Sequence, residues 1–263
     1  MTVISLTTDF GNINGFVGTM KGVIWSIASG VSIADISHDI PAQDIRTGAI
    51  ALWRSSPYFP AGSVHVAVID PGVGTARRPI AAQLGDQFFV MPDNGLITPM
   101  LEDAEADGQI VRIVHLNNPR YWLEKVYTTF HGRDIFSPCG AHLAAGVALE
   151  ELGTPITDPV RLPLPRPQKT ETGYRANIVV VDYFGNCSTN LRVSQVTDLS
   201  TVVLKIAGQT INGILPSYGH AKVGDLVAVT DSEGFVEVAV VNGSAARTYG
   251  IKLDDPVEVI LNA

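Results

Sequence analysis

Acidic, amide and basic side chains recur in this sequence where predicted strands give way to loops. The set comprises Asp9, Asp70, Arg77, Asn94, His131, Asp134, Asp182 and Asn186. Ligands of open α/β sheets bind beyond the carboxyl ends of the strands, where such groups can hold a polar ligand or move a proton. Each residue alone also fits an ordinary turn, Asx turn or helix cap. Because so many of them lie at strand ends, a shared polar cleft fits the set as well as separate turn and cap roles do.

The most marked junction runs from Ser63 to Arg78. A β-branched apolar run ends in Asp70-Pro71-Gly72, and a loop that also contains Gly74 leads to Arg77 and Arg78. The pattern predicts a buried strand that opens into a functional loop, although Asp-Pro-Gly is also common turn chemistry. A phosphate-binding loop is disfavoured, because Arg77 stands where the dinucleotide fingerprint requires its third glycine.

His131 precedes a predicted helix over residues 135–151. A helix N-terminus lowers the pKa of a histidine, and a neutral imidazole can accept a proton. The other histidines do not form a metal-ligand spacing, and Cys139 and Cys187 lie far apart without a Cys-x-x-Cys motif. We therefore expect no metal site, no disulfide framework and two small buried cysteines.

The composition limits the classes of partner. The 263 residues carry a net charge of −8, and no basic cluster is longer than two arginines. A nucleic-acid or anionic-membrane footprint is therefore absent, and a small or cationic ligand fits better. The N-terminus has no basic start before Asp9, and no apolar run is long enough to cross a bilayer. We expect a cytoplasmic protein.

The predicted elements give two domains. Strands over 2–8, 31–36, 63–69, 79–84, 87–91 and 110–116 alternate with helices over 15–29, 43–55, 96–106 and 135–151. This alternation of strands and helices predicts an α/β domain over 1–160 whose mostly parallel sheet is flanked by helices. A proline-rich linker follows at 161–172. Strands over 175–182, 201–206, 226–229, 235–241 and 256–261 predict a smaller all-β, barrel-like domain over 173–263.

Six segments, in this order, resemble the S-adenosylmethionine hydrolase (adenosine-forming) family, also called S-adenosylmethionine hydroxide adenosyltransferases, which are relatives of fluorinating and chlorinating enzymes. They are Leu-Thr-Thr-Asp-Phe-Gly (6–11), Asp-Ile-Ser-His-Asp-Ile (35–40), Val-His-Val-Ala-Val-Ile-Asp-Pro-Gly-Val-Gly-Thr (64–75), Pro-Asp-Asn-Gly-Leu (92–96), Thr-Phe-His-Gly-Arg-Asp-Ile-Phe (129–136) and Asp-Tyr-Phe-Gly-Asn (182–186). Six collinear matches are far more specific than any one of them.

The resemblance implies hydrolysis of S-adenosyl-L-methionine to adenosine and L-methionine, with the sulfonium compound as substrate and no separate cofactor. The family's catalytic triad falls on Asp70, Arg77 and His131, with Arg78 as the alternative if the loop is shifted by one residue. The resemblance also implies a homotrimer, with sites between the larger domain of one subunit and the smaller domain of the next.

The substrate-binding residues that the resemblance implies come from both domains. They are Asp9 on the ribose, Asn186 and the backbone near Val240 on adenine, Phe184 as an apolar wall, and Asp182, Ser232 and Glu237 around the methionine end. Asn94 is a further implied substrate-binding residue, with no part of the substrate assigned to it. Glu233, beside Ser232, stands where halogenating relatives have a basic residue.

The implied mechanism has Arg77 hydrogen-bonding the attacking oxygen, His131 accepting its proton and Asp70 orienting the pair. We expect Arg77 to lower the pKa of Asp70, which favours His131 as the base. Two alternatives stay open. One is halide transfer to the same carbon, although the halogenating relatives lack the Asp, Arg and His set. The other is a non-catalytic sensor of adenosine or S-adenosylmethionine.

Overall fold

The computed structural model describes residues 2–261, and these form two compact units that divide between Pro163 and Leu164. The strands of the first unit are β1 (Val3–Thr8), β2 (Ser32–Ser37), β3 (Val64–Val68), β4 (Pro79–Leu84), β5 (Gln87–Pro92), β6 (Val111–His115) and β7 (Thr154–Pro155). Its helices are α1 (Phe16–Ile27), α2 (Ile45–Ser55), α3 (Thr98–Ala106) and α4 (Ser137–Ala144). The predicted alternation of strands and helices is confirmed.

The sheet of the first unit is mixed, so the prediction of a mostly parallel sheet was wrong. Its seven strands run in the order β2-β1-β3-β5-β4-β6-β7. The pairs β1–β2, β1–β3 and β3–β5 are parallel, whereas β4–β5, β4–β6 and β6–β7 are antiparallel. Only Gly85 and Asp86 join β4 to β5, and a link of that length permits an antiparallel hairpin but no parallel crossover.

Both faces of this sheet are covered. In β3, Val64, Val66 and Val68 belong to the core beneath α1 and α4. Ala67 and the following Ile69 belong to the core beneath α2 and α3. A strand buried on both faces has few polar positions, which explains why His65 is the one polar residue between Val64 and Asp70. The site therefore begins where a fully buried strand emerges from the core.

The helix predicted over residues 135–151 is shorter than expected. A π-helical turn spans Gly132–Phe136, α4 follows directly, and a 3₁₀ turn covers Leu149–Leu152. Gly146, at φ 95°, donates to the carbonyl of Leu143 and ends the helix by adopting the left-handed conformation. The placement of His131 immediately before a helical segment is confirmed.

The second unit is a curved sheet that is nearly barrel-shaped. It consists of β8 (Gln168–Lys169), β9 (Gly173–Val181), β10 (Cys187–Arg192), β11 (Val203–Ile206), β12 (Gln209–Asn212), β13 (Leu226–Thr230), β14 (Phe235–Val240) and β15 (Pro256–Ile260), with one short helix, α5 (Ala245–Tyr249). Seven strands run in the order β12-β11-β15-β9-β10-β14-β13, and β8 pairs with β9. The sequence did not predict β10 or β12, because both are rich in polar residues.

Further predictions from the sequence concern membrane-spanning segments, metal ligands and cysteines. Within residues 2–261, no helix has the length and apolar character needed to cross a bilayer. The same residues contain no group of three or more His, Cys, Asp or Glu side chains arranged to hold a metal ion. Cys139 and Cys187 are buried and unpaired, as predicted.

Candidate active site

Asp70 and Arg77 form a bidentate ion pair at the end of β3. Nε of Arg77 donates to Oδ1 of Asp70 at 3.0 Å, and Nη2 donates to Oδ2 at 2.5 Å. The side chains of Arg77 and Asp70 are 7% and 4% exposed, respectively. Both carboxylate oxygens are thus occupied by the guanidinium, and a planar fork of this kind fixes the orientation of both groups.

His131 completes the group at Nη2, the same guanidinium nitrogen that donates to Oδ2 of Asp70. Its Nδ1 lies 3.1 Å from Nη2 of Arg77. A guanidinium can only donate hydrogen bonds, so Nδ1 must be the acceptor. It follows that the neutral His131 ring carries its proton on Nε2 while this contact is kept. The structure therefore brings together the three residues that the resemblance implied.

Gly74 allows the Arg77 loop to approach the segment before His131. Its φ is +77°, and a Cβ atom built there would lie 2.4 Å from the carbonyl oxygen of Thr128. Only glycine combines this conformation with so close an approach. The loop and the His131 segment are far apart in the chain, and this contact sets the distance between their side chains.

The segment before His131 is braced by a buried carboxylate. Oδ2 of Asp134 accepts the backbone N–H of Tyr127 at 2.7 Å, and Nε of Arg133 donates to Oδ1 at 2.6 Å. Of the turn and cap roles open to these polar residues, Asp134 does not have the role of a helix cap, since no side chain caps the π-helical turn. Asp134 instead closes the turn that presents His131.

The ionisation of the group is governed first by burial. Burial lowers the pKa of His131, and the nearby Arg77 charge lowers it further, while Asp70 opposes both effects. The prediction of a lowered His131 pKa is confirmed in direction. Burial raises the pKa of Asp70 and outweighs the opposing effect of Arg77. The expectation of a lowered Asp70 pKa was wrong, because it omitted desolvation of the carboxylate.

One nitrogen of Arg77 has no hydrogen-bond partner among the described residues. Nη1 is buried and makes no hydrogen bond with any residue in the range 2–261. The ring of Phe136 lies 5.3 Å from the Arg77 guanidinium carbon and packs against the same group. A buried donor without a partner is costly, so Nη1 is the atom that a bound ligand or water would satisfy.

Arg78 points elsewhere, although it is adjacent to Arg77. Its Nε donates to Oδ2 of Asp93 at 2.8 Å, and its Nη1 donates to Oδ1 of Asp158 at 3.0 Å. The Asp93 carboxylate is 1% exposed and also accepts the backbone N–H of Val160. Arg78 thus fastens the chain near residue 160, and the structure places Arg77, not Arg78, against Asp70.

Asp9 and Asn94 follow β1 and β5, the two strands that flank β3, and they have different surroundings. Oδ2 of Asp9 accepts the backbone N–H of Gln43 at 2.8 Å, and this is the single hydrogen bond of the Asp9 side chain among the described residues. Asn94 donates through Nδ2 to the carbonyl of Ile69 at 2.8 Å and accepts the N–H of Leu96. Asn94 therefore secures the residue before Asp70, and its contact with substrate stays a prediction.

In the second unit, Asp182 and Asn186 bind each other. Asn186 donates its backbone N–H and its Nδ2 to the two oxygens of Asp182, at 2.8 and 3.0 Å. Gly185, at φ +86°, closes the turn, and a Cβ there would meet Oγ of Ser244 at 1.9 Å. Phe184 is 68% exposed at the tip of this turn. The turn holds an acid, an amide and an aromatic ring within five residues.

Glu237 lies on β14 and is the buried acid of this unit. Tyr218 donates to Oε1 at 2.5 Å, and Ser188 donates to Oε2 at 3.2 Å. Burial raises the pKa of Glu237, and the charges of Asp182 and Asp231 raise it further, against the two hydroxyl donors. The hydrogen bonds to Glu237 come from uncharged hydroxyl groups, so an added positive charge would be stabilised beside this acid.

The remaining predicted residues of this unit, Ser232 and Val240, do not join that group. Ser232 donates to Oε1 of Glu233 at 2.8 Å, and Val240 is the buried last residue of β14. The sequence also left three neighbours of the predicted residues unmentioned, namely Gln43, Ser188 and Tyr218. No motif marks them, since each contacts its predicted partner, Asp9 or Glu237, only after folding.

The fold and the half-buried Asp-Arg-His group define a two-unit protein with an acid–base site at the end of a buried strand. Residues 4–153 match the SAM hydroxide adenosyltransferase N-terminal domain, and residues 176–258 match the C-terminal domain. The chain therefore belongs to the SAM hydroxide adenosyltransferase family.

Full-length relatives agree with this assignment. An (R)-S-adenosyl-L-methionine hydrolase from Salinispora tropica is 41% identical over 260 residues, which cover 97% of each chain. A fluorinase from an Actinoplanes species is 26% identical over 95% of this chain and 94% of its own. The crystal structure of an uncharacterized conserved protein from Thermotoga maritima superimposes with a TM-score of 0.89 at 32% identity, covering 97% of this chain and 99% of that one.

Proposed function

We propose that this protein hydrolyses S-adenosyl-L-methionine to adenosine and L-methionine, by attack of water or hydroxide at the ribose C5′ carbon. The observation that carries the proposal is the hydrogen-bonded series Asp70–Arg77–His131 in a chain of this family. Membership of the family indicates the substrate, and the side-chain series provides the means to handle a water molecule. The hydrolase relative from Salinispora tropica supports the same reaction.

The leaving group needs little help in this reaction. Sulfur carries the positive charge, so breaking the C5′–S bond returns the electron pair to sulfur and releases neutral methionine. The new C5′–O bond forms from the attacking water, and one proton is released to solvent. The protein therefore has to orient and polarise the oxygen, which is a task for fixed hydrogen-bond donors.

The hydrogen bond between Arg77 and His131 favours different catalytic roles from those that the sequence suggested. Nδ1 of His131 accepts from Arg77, so Nε2 carries the proton and cannot take another while the contact is kept. We assign His131 to orientation and donation through Nε2, in place of the base predicted above. Nη1 of Arg77 is the second donor. Both donors, with the adjacent guanidinium charge, stabilise developing hydroxide.

Asp70 supports this arrangement without touching the oxygen. Both of its oxygens are engaged by Arg77, so the carboxylate serves to orient the guanidinium and to balance its charge. Arg77 donates one hydrogen bond to each oxygen, so the carboxylate faces the guanidinium. Asp70 is therefore assigned as the orienting residue, as the sequence analysis expected.

Residues of both units are proposed to bind the substrate. Asp9 would hold the ribose hydroxyls, and Asn186 with the backbone near Val240 would hold adenine, beside the wall of Phe184. Glu237, Asp182 and Ser232 would surround the methionine end. Burial and the charges of Asp182 and Asp231 raise the pKa of Glu237, and the ammonium group of methionine would offset these negative charges. We also propose a homotrimer, on the resemblance alone, and light scattering would test it.

Product chromatography tests this function. We expect pure protein incubated with S-adenosyl-L-methionine to yield adenosine and methionine at a rate independent of chloride, and the products to be lost in His131→Ala. A chlorinated nucleoside would place the protein among the halogenating enzymes. Intact substrate despite binding by calorimetry, unaffected by Asp70→Asn, would leave the sensor as the function.

The roles within the triad are tested by comparing two variants. If Asp70→Asn lowers turnover more than His131→Ala does, with substrate binding kept in both, the assignment of Asp70 as a remote orienting residue is contradicted. We expect the larger loss in His131→Ala, of about 10²–10³-fold, because that substitution deletes a donor to the attacking oxygen.

A further inference from the structure

The turn that follows β2 holds Asp9 through backbone hydrogen bonds. The N–H of Gly11 donates to the carbonyl of His38 at 2.8 Å, which fixes the loop that carries Asp9. The N–H of Gln43 donates to Oδ2 of Asp9 at 2.8 Å, which fixes the carboxylate itself. The loop after β1 is thus oriented by the loop after β2.

Gln43 makes its hydrogen bond from an unusual backbone conformation. Its φ is +67°, whereas the N–H of Asp44 donates to the carbonyl of Pro41 at 3.0 Å. This is the pattern of a type II β-turn over 41–44, in which the third residue has positive φ and is usually Gly or Asn. Asp44 then caps α2 by accepting the N–H of Thr47 at 2.9 Å. The turn is therefore anchored on both sides, although Gln43 itself disfavours its conformation.

We propose that Gln43 is a positioning residue whose left-handed conformation directs its backbone N–H at Asp9. This inference rests on the proposed function, from which the ribose role of Asp9 comes. Oδ1 of Asp9 has no hydrogen-bond partner among the described residues, and each carboxylate oxygen accepts about two hydrogen bonds. Fixing Oδ2 therefore leaves both oxygens able to receive a ribose hydroxyl, with less side-chain entropy lost on binding.

A β-branched substitution tests the backbone role directly. Gln43→Val keeps the N–H but disfavours positive φ, so the turn should relax and release Asp9. We expect KM for S-adenosyl-L-methionine and Kd for adenosine to rise by roughly tenfold, the value of one hydrogen bond to a charged group. The kcat value should change little, because the triad is untouched. Gln43→Gly, which favours positive φ, should recover the affinity.

A matched control and a double substitution complete the test. Ala207→Val places the same residue at another positive φ, 49°, in the β11–β12 hairpin, and should leave both KM and kcat unchanged. In an Asp9→Ala background, Gln43→Val should cause no further loss of adenosine affinity, since the two residues act as one unit. Thermal unfolding of every variant would verify that it is folded.

Three results would overturn the inference. Equal loss of affinity in Gln43→Gly and Gln43→Val would mean that the side chain acts directly. Additive losses in the double variant would mean that Gln43 does not act through Asp9. If the wild-type protein binds adenosine and Gln43→Val binds it equally well, the role of Gln43 is refuted but the proposed function is not. If the wild-type protein does not bind adenosine at all, the proposed function is refuted.

Discussion

Nη2 of Arg77 lies 3.1 Å from Nδ1 of His131, and the guanidinium is the donor in this contact. The histidine is thereby restricted to the tautomer with a proton on Nε2. Protonation of Nδ1 would put two donors and two positive charges face to face. The contact therefore persists only while the ring is neutral, which links the site's geometry to pH.

The activity should fall on the acid side at a pH below 6.5. Burial and Arg77 lower the pKa of His131, so the ring stays neutral and the contact is kept down to that lowered pKa. A plot of kcat/KM against pH should show this acid limb, because it reports groups of the free enzyme. In Asp70→Asn the limb should move lower still, since Asp70 favours the charged ring. An acid limb above pH 6.5 would contradict the account.

The close approach of Gly74 to Thr128 should be necessary for turnover. Gly74→Ala would put a Cβ atom 2.4 Å from the carbonyl oxygen of Thr128, so the loop must shift and carry Arg77 away from His131. We expect kcat to fall by up to ~10²-fold, the cost of misplacing a reacting group by about 1 Å.

Gly62 provides the matched control for this substitution. It has nearly the same conformation, φ +78°, but a Cβ there meets nothing within 4 Å. Gly62→Ala should lower the free energy of unfolding by ~1–2 kcal/mol and leave kcat unchanged. Steady-state kinetics with thermal unfolding would compare the two, and equal kcat losses would refute the proposed role of Gly74.

Much of this site could be predicted from the sequence, because its signals are local. Asp70 follows a mostly apolar strand, and His131 lies just before a helical segment, so each residue could be identified as a candidate from its neighbours in the sequence. The connection of Asp70 to His131 through Arg77 could not be predicted, since it depends on the contact of Gly74 with a segment distant in the sequence. The direction of the Asp70 pKa shift was missed for the same reason, because burial is a property of the folded chain.

The errors in the fold have similar causes. The parallel pairs follow from strand–helix–strand spacing, but the Gly85-Asp86 link should have indicated an antiparallel hairpin. Strand β10 was missed because its buried positions include Ser188 and Thr189, which give no apolar alternation. Gln43 gave no signal at all, since positive φ is predicted from Gly or Asn and seldom from Gln.

Arg78 should contribute to stability more than to chemistry. Arg78→Ala would leave the Asp93 carboxylate, 1% exposed, without its cation. Loss of one partner of a buried pair typically costs ~3–5 kcal/mol. Arg78 is itself 29% exposed and the Val160 N–H still binds Asp93, so we expect about 2–3 kcal/mol.

Urea unfolding of Arg78→Ala would measure this loss of stability. Asp158, the exposed partner of Arg78, offers a matched comparison in the same experiment. Asp158 is 76% exposed, and Asp158→Asn should cost no more than ~1 kcal/mol, as is usual for a surface ion pair. Equal effects of Arg78→Ala and Asp158→Asn would show that Asp93 is not the partner that matters.

His65 should make the fold sensitive to acid. Burial lowers the pKa of His65 from 6.5 to about 4, while Ser5 and two aromatic rings surround it. The unfolded chain therefore binds a proton between pH 6.5 and 4 that the folded chain does not. The free energy of unfolding should fall as pH decreases through this window, by up to about 3 kcal/mol at ~1.4 kcal/mol per pH unit.

Urea unfolding of wild type and His65→Gln at several pH values would measure this contribution. The variant lacks the titrating group, so its free energy of unfolding should decline less steeply between pH 6.5 and 4. Parallel curves for the two proteins would contradict the assignment. The comparison removes the contribution of the carboxylates, which both proteins share.

We propose that the Asp70–Arg77–His131 group directs water to the ribose C5′ carbon. The most direct test is mass spectrometry of the products formed from S-adenosyl-L-methionine in ¹⁸O-labelled water, with wild type and His131→Ala side by side. The account predicts one labelled oxygen in adenosine, none in methionine, and loss of labelled adenosine in the variant. Labelled homoserine with methylthioadenosine, a halogenated nucleoside, or labelled adenosine formed equally fast by His131→Ala would contradict it.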